Sequence, residues 1–144
     1  ALADKLDAEV LAAVDVSADD PDIPVRERLL EVLMQRFDTM APCKAGITGV
    51  LRAIPLSPST IRYGVPALVR SMKVTLDMVN IPSEGISGAL RANGLAVVFL
   101  DGLRVWIGDD SPDLSVTMRR LDERLKQAEG IAISLGLTQP AKHL

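Results

Sequence analysis

The chain predicts an all-α fold: one helical domain of about six helices, with the last two forming a four-helix bundle between two subunits. Three observations carry that prediction. No run alternates β-branched with polar residues in the way that hairpin-joined strands require. Apolar residues instead recur at intervals of three and four between proline and glycine breaks. Aromatics make up only 3% of the 144 residues, so the core must come from Leu, Val, Ile, Ala and Met, a choice that favours helices.

The first predicted helix covers about residues 1–15, with Leu2, Leu6, Val10 and Val14 spaced by four, and stops at "VSADDPDIP". It begins without a cap or an initiator Met, so we expect a fragment of a longer protein. The second covers roughly 25–40, with Val25, Leu29, Leu33 and Phe37 on one face and Leu30 and Met34 beside them. Pro42 opens the third, whose inner face is Ile47, Val50, Leu51 and Ile54. The fourth spans about 59–80, with Pro66 inside it as a kink or interruption.

The fifth, about 84–108, differs in kind. Its centre "LAVVFLDGLRVW" is apolar nearly all round, which predicts burial on more than one side. Gly88, Ala92 and Ala96 recur every four residues and would let another helix approach closely. The sixth restarts after the only tryptophan, Trp106, with Ser111 as N-cap, Pro112 at the first position and Asp113 complementing the helix dipole. Behind the cap, Leu114, Met118, Leu121, Leu125, Ala128, Ala132 and Leu135 follow a 4-3-4-3 spacing, a heptad seam. We therefore expect a homodimer interface at Gly88, Ala92, Ala96, Leu114, Met118, Leu121, Leu125 and Ala128. An intramolecular bundle would use the same seam.

Composition bounds function mainly by exclusion. The net charge of −3 leaves the chain as a whole without an electrostatic footprint for nucleic acid. The single cysteine, Cys43, cannot form an internal disulfide, and we expect a small buried or half-buried thiol. The longest apolar run, "GLAVVFL", is far short of the roughly 20 residues that span a bilayer. The N-terminus lacks the apolar core of a signal peptide. These features predict a cytoplasmic protein without stable membrane insertion.

No Gly-rich phosphate loop, Gly-x-Ser-x-Gly elbow or Cys/His pair at metal spacing is present. We expect no catalytic residue, metal or cofactor, and no enzyme. His143 reads as a tail residue. Asp101 and Arg104, three apart on the fifth helix, predict an ion pair within that helix or across the dimer, or else a polar anchor for a ligand. Capping accounts for Asp113, and solvation for Asp109 and Asp110.

A pocket is expected where the second, fourth and fifth helices meet beside Pro66. Met34, Phe37, Val69, Met72, Leu76, Leu95 and Phe99 would form its apolar wall, with Tyr63 or Arg70 as polar contact. The ligand would be a small hydrophobic effector or a lipid.

The stretches "LRVWIGDDSPDLSVTMRRLDERLKQAE", "VRERLLEVLMQRFDTM" and "ALVRSM" resemble the C-terminal domain of TetR-type transcriptional regulators. The resemblance is specific at residues 105–125 and diffuse elsewhere. It implies a ligand-binding and dimerisation domain, with residues 1–15 as a connecting helix and DNA binding through an N-terminal head not in this chain. The same joint is similar to Coq-nine-type ubiquinone-biosynthesis accessory proteins, carried here by "WIGDDSP", Thr117, Leu121, Asp122 and Arg124. That likeness implies an isoprenoid-lipid-binding role as the alternative. The segment "NIPSEGISGALRAN" departs from those proteins in having no aromatic, and little chain follows Leu137.

Overall fold

The structure, a computed structural model, describes residues 22–53 and 58–137. The predicted first helix and His143 lie outside them. The fold is all-α, and no strand occurs among the described residues. Five α-helices are described: α1 (Val25–Met40), α2 (Lys44–Ala53), α3 (Pro58–Met78), α4 (Gly85–Trp106) and α5 (Ser115–Ser134). Short 3₁₀ turns at Ala41–Cys43 and Pro112–Leu114 lead into α2 and α5.

The core lies between α1, α3, α4 and α5, so the bundle closes within one chain. Leu33, Phe37 and Met40 of α1 meet Met72 and Leu76 of α3, Leu95, Phe99 and Trp106 of α4, and Leu121 and Leu125 of α5. The scarce aromatics are concentrated here. Phe37 stacks on Phe99 with centroids 5.1 Å apart and rings 9° from parallel, and Trp106 leans on Phe37 at 5.4 Å. Helix α4 packs against α3 on one side and α5 on the other, which accounts for part of its apolar surface. Its length and composition would also suffice to cross a membrane, with mean hydropathy 1.3, but here it is the central helix of the core.

The inner face of α1 is wider than the expected one: Leu33 and Phe37 are fully buried and Leu29 half-buried as expected, and a further row is buried beside them. Val25 is exposed, while Arg28, Val32, Arg36 and Met40, spaced by four, are buried. Two charged residues thus occupy the core side of the helix, and both are satisfied by α3. Arg36 Nε donates to Thr75 Oγ1 at 2.8 Å and its Nη2 to Ser71 O at 3.0 Å. Arg28 Nη1 donates to Val79 O at 2.9 Å, next to the end of α3, and its Nε to Ile23 O at 3.1 Å. Buried charge is tolerated only with such partners. These bonds run α1 antiparallel to α3, so the first turns of α3 continue past the end of α1.

Local signals explain where the helices stop. Asn80 takes a left-handed φ of 60°, Ile81 N donates to Leu76 O at 2.9 Å and Asn80 N to Asp77 O at 3.1 Å, the bonds of a Schellman stop. Gly136, at φ 72°, does the same for α5 through Leu137 N to Ala132 O at 2.8 Å. Arg91 of α4 donates its Nη2 to Leu137 O at 2.5 Å, tying that end to the bundle.

Gly102 lets α4 and α5 approach each other closely. A Cβ there would lie 2.6 Å from Cδ2 of Leu121 and 3.5 Å from Phe37 Cζ. Gly88, Ala92 and Ala96 do not form the expected intersubunit groove. Gly88 meets the backbone of Ser83, which a Cβ would approach to 2.2 Å, and the two alanines face the core. Gly102→Leu is expected to wedge α4 from α5 and cost about 1–3 kcal/mol, read as a lower urea midpoint with unchanged m-value.

Candidate functional site

Helix α4 ends at Trp106, and the chain must reverse within eight residues to start α5. Asp109 organises the reversal. It is buried, and its carboxylate accepts four hydrogen bonds. Oδ1 receives Ser111 N at 2.8 Å and the Ser111 hydroxyl. Oδ2 receives Thr117 N at 2.9 Å and Thr117 Oγ1 at 2.6 Å. Burial pushes the carboxyl upward, but the bonds from Ser111 and Thr117 outweigh it and hold Asp109 far below the usual carboxylate range.

The expected roles at this joint are therefore redistributed. Asp109, assigned to solvation, is the principal cap of α5. Ser111 does contribute, accepting Val116 N at 3.3 Å, yet α5 opens three residues later than predicted. Asp113 is exposed at φ 54° and Leu114 follows at φ 53°, two consecutive left-handed residues in the turn. Lys44, at the start of α2, closes the knot from outside. Its Nζ donates to Asp109 O at 2.9 Å and lies 5.1 Å from the Trp106 ring centroid.

Asp101 does not pair with Arg104. It takes Arg120 Nε at 2.6 Å and Arg124 Nε at 3.0 Å, both from α5. The bond from Arg120, with a smaller one from Arg124, holds its carboxyl at about 2 against the opposing effect of burial. Arg104 points to solvent. An i+3 pair was legible in sequence, but the two arginines one turn apart on α5 offered Asp101 a better fork. Arg26 adds a weaker tie from α1 to Asp122 and Glu129 of α5, at 3.7 and 3.8 Å.

Seven of the nine residues expected to line a pocket, Met34, Phe37, Val69, Met72, Leu76, Leu95 and Phe99, lie in or against one packed core cluster. Phe37 and Met72 have no accessible surface, and Leu76, Leu95 and Phe99 are buried around them, so not even a water-sized space adjoins the first two. Met34 is half-buried against the same core. Pro66 lies inside α3, and a depression on the outer surface there is lined by Val65, Pro66, Val69, Arg70 and Lys73. Val69 thus borders this depression while packing half-buried against the core, Arg70 is exposed beside it, and Tyr63 is exposed nearby on the same helix. Cys43 is exposed rather than buried.

The expected dimer residues divide in the same way. Leu121 and Leu125 are buried in the core of their own chain, and Leu114 and Ala128 pack half-buried against it. Met118 and, at the far end of the seam, Leu135 are exposed. A different apolar face is left uncovered. On α4, Ile86, Leu90, Val97 and Leu100 are exposed, Ile86 at 84% and Val97 at 68%. With the exposed Asn93 and Arg104 they follow the spacing 4-3-4-3-4, a second heptad stripe opposite the core-facing one. Ile131 in the last turn of α5 and Leu135 just past its end are also exposed. The near-uniform apolarity of α4 concealed this stripe in the sequence.

No protein-family model matches the chain, and no curated protein or solved structure is significantly similar to it.

Asp109→Ala leaves four buried or half-buried donors without their acceptor and is expected to cost about 2–4 kcal/mol, measured by chemical denaturation. Asp101 and Asp109 both have folded-state values below the ordinary 3.8. Their contribution is complete above roughly pH 4 and is lost as pH falls toward 2, because the unfolded chain takes up protons first. An acid titration followed by circular dichroism should show that limb, and Asp101→Asn should flatten it.

Proposed function

We propose that this chain is the effector-binding and dimerisation domain of a TetR-like transcriptional regulator. The observation that carries the reading is the uncovered heptad stripe of α4, flanked by Ile131 and Leu135 of α5. A helix that already buries one apolar face and still exposes four large aliphatics along another is suited to a second copy of itself. Asn93 in the middle of that stripe supplies a polar position of the kind that fixes register in helix seams. In this reading α4 and α5 of two protomers form the intersubunit four-helix bundle, through the outer stripe of α4 with Ile131 and Leu135 beside it. The protein is cytoplasmic and non-catalytic, and contacts DNA only through an N-terminal head. The effector is a small hydrophobic compound bound at the Pro66 depression, where Val65 and Val69 supply apolar contact and Arg70 and Lys73 a polar end.

The two helix faces make opposite predictions. Val97→Glu puts a charge on the exposed stripe and should give a folded monomer by light scattering, with unchanged helicity. Leu121→Glu puts one in the intrachain core and should unfold the protein. A dimer that survives Val97→Glu would place the interface elsewhere. An effector at a hundredfold excess over its Kd should raise stability by about 2.7 kcal/mol in the wild type. Val69→Glu at the depression should abolish that gain without altering the dimer.

A further inference from the structure

Charge is unevenly distributed along this chain. Between Asp38 and Asp77 there is no Asp or Glu, while Lys44, Arg52, Arg62, Arg70 and Lys73 fall in that interval. The whole chain has 16 cations and 19 acids, so the remaining residues carry eleven cations against nineteen acids. A molecule of net charge −3 therefore holds one segment of +5 opposed by −8 elsewhere. That segment contains α2 and all but the last turn of α3.

The same helices are the least supported part of the described fold. Arg62, Tyr63, Gly64, Val65 and Pro66 are five consecutive exposed residues. At 100° per residue, five positions sweep the full circumference of a helix, so this turn of α3 is open to solvent on every side. It lies in the part of α3 that runs past the end of α1. Helix α2 exposes Val50 and Leu51, at 53% and 45%, and reaches the core through Ile47. Four residues separate the end of α2 from the start of α3, so those ends lie within about 18 Å of each other. Among the described residues, no carboxylate pairs with Arg52, Arg62, Arg70 or Lys73.

We propose that α2 and the first half of α3 form a docking surface for an anionic phospholipid bilayer. Cations alone would suit any polyanion. The exposed aliphatics Val50, Leu51 and Val65 interleaved with them favour a surface that has an acyl layer beneath its phosphates. Nucleic acid offers such side chains little, since its strands are held by cations and stacked aromatics. Tyr63 is 69% exposed, with the Arg62 guanidinium carbon 5.6 Å from its ring centroid, an amphipathic pair suited to the headgroup level. Arg70 and Lys73, at the rim of the Pro66 depression, add two cations to this surface. Docking is peripheral, and it leaves the outer stripe of α4 free for a partner.

The test is flotation of the full chain with vesicles of phosphatidylcholine alone or with roughly one third phosphatidylglycerol. Binding is expected only to the anionic vesicles, and it should fall as salt is raised. The double change Arg70→Glu and Lys73→Glu should weaken binding roughly tenfold or more, with circular dichroism unchanged because neither residue is buried. Leu51→Ser with Tyr63→Ser should weaken it while leaving the charge intact. No association with anionic vesicles at low salt, equal binding to neutral ones, or full binding by the charge-reversed protein would each overturn the proposal. Binding of a short DNA duplex that the charge reversal abolishes, without vesicle binding, would make nucleic acid the occupant and defeat the bilayer.

Discussion

The Asp109 carboxylate is the point on which the rest of this arrangement depends. Helices α4 and α5 form the largest contact in the molecule, and they can pack only if the chain turns back within the eight residues between them. Two left-handed residues in that turn, Asp113 and Leu114, are costly for side chains with a Cβ. Four hydrogen bonds into one buried acceptor, and the Lys44 clasp on its carbonyl, offset that cost and fix the direction in which α5 leaves. From there the remaining contacts follow. Leu121 settles on Gly102, and Arg120 and Arg124 reach Asp101.

Much of the fold was legible in the sequence because helix punctuation is local. Pro24, the Pro42 turn, the NIPSEG loop and the Ser-Pro-Asp restart all mark real boundaries, and α1 spans the residues expected from its periodicity. What periodicity could not say was whose seam it described. A 4-3-4-3 spacing requires an apolar groove opposite, and α1 and α4 of the same chain supply one for Leu121 and Leu125. Burial of Arg28 and Arg36 was hidden for a related reason. Charged residues are assigned to the outer face by default, and only the Thr75 hydroxyl and the α3 carbonyls reverse that assignment.

The candidate sites were less legible than the fold. Pro66 stands inside α3 as the sequence indicated, but a proline within a helix does not reveal which side of it gains space. The run of 38 residues without an acid was present in the sequence, and a net charge of −3 averaged it away. Local charge within a segment, weighed against exposure, carries information that the total cannot. Asp109 was hidden by its neighbours. Three aspartates within five residues look alike until Thr117, eight positions on, selects one of them.

The two arginines of α1 bear on how this bundle could move. An apolar interface between helices is tolerant of sliding, because one leucine can replace another a turn away. Arg28 and Arg36, eight residues apart, must each find fixed acceptors on α3, and a shift by one turn would strand both charges in the core at once. The α1–α3 pair is therefore a ratchet with a single tooth position rather than a smooth bearing. Any rearrangement passed between the exposed end of α3 and the rest of the bundle must travel as a rigid rotation of α1 and α3 together. Sliding of one helix along the other is closed to it.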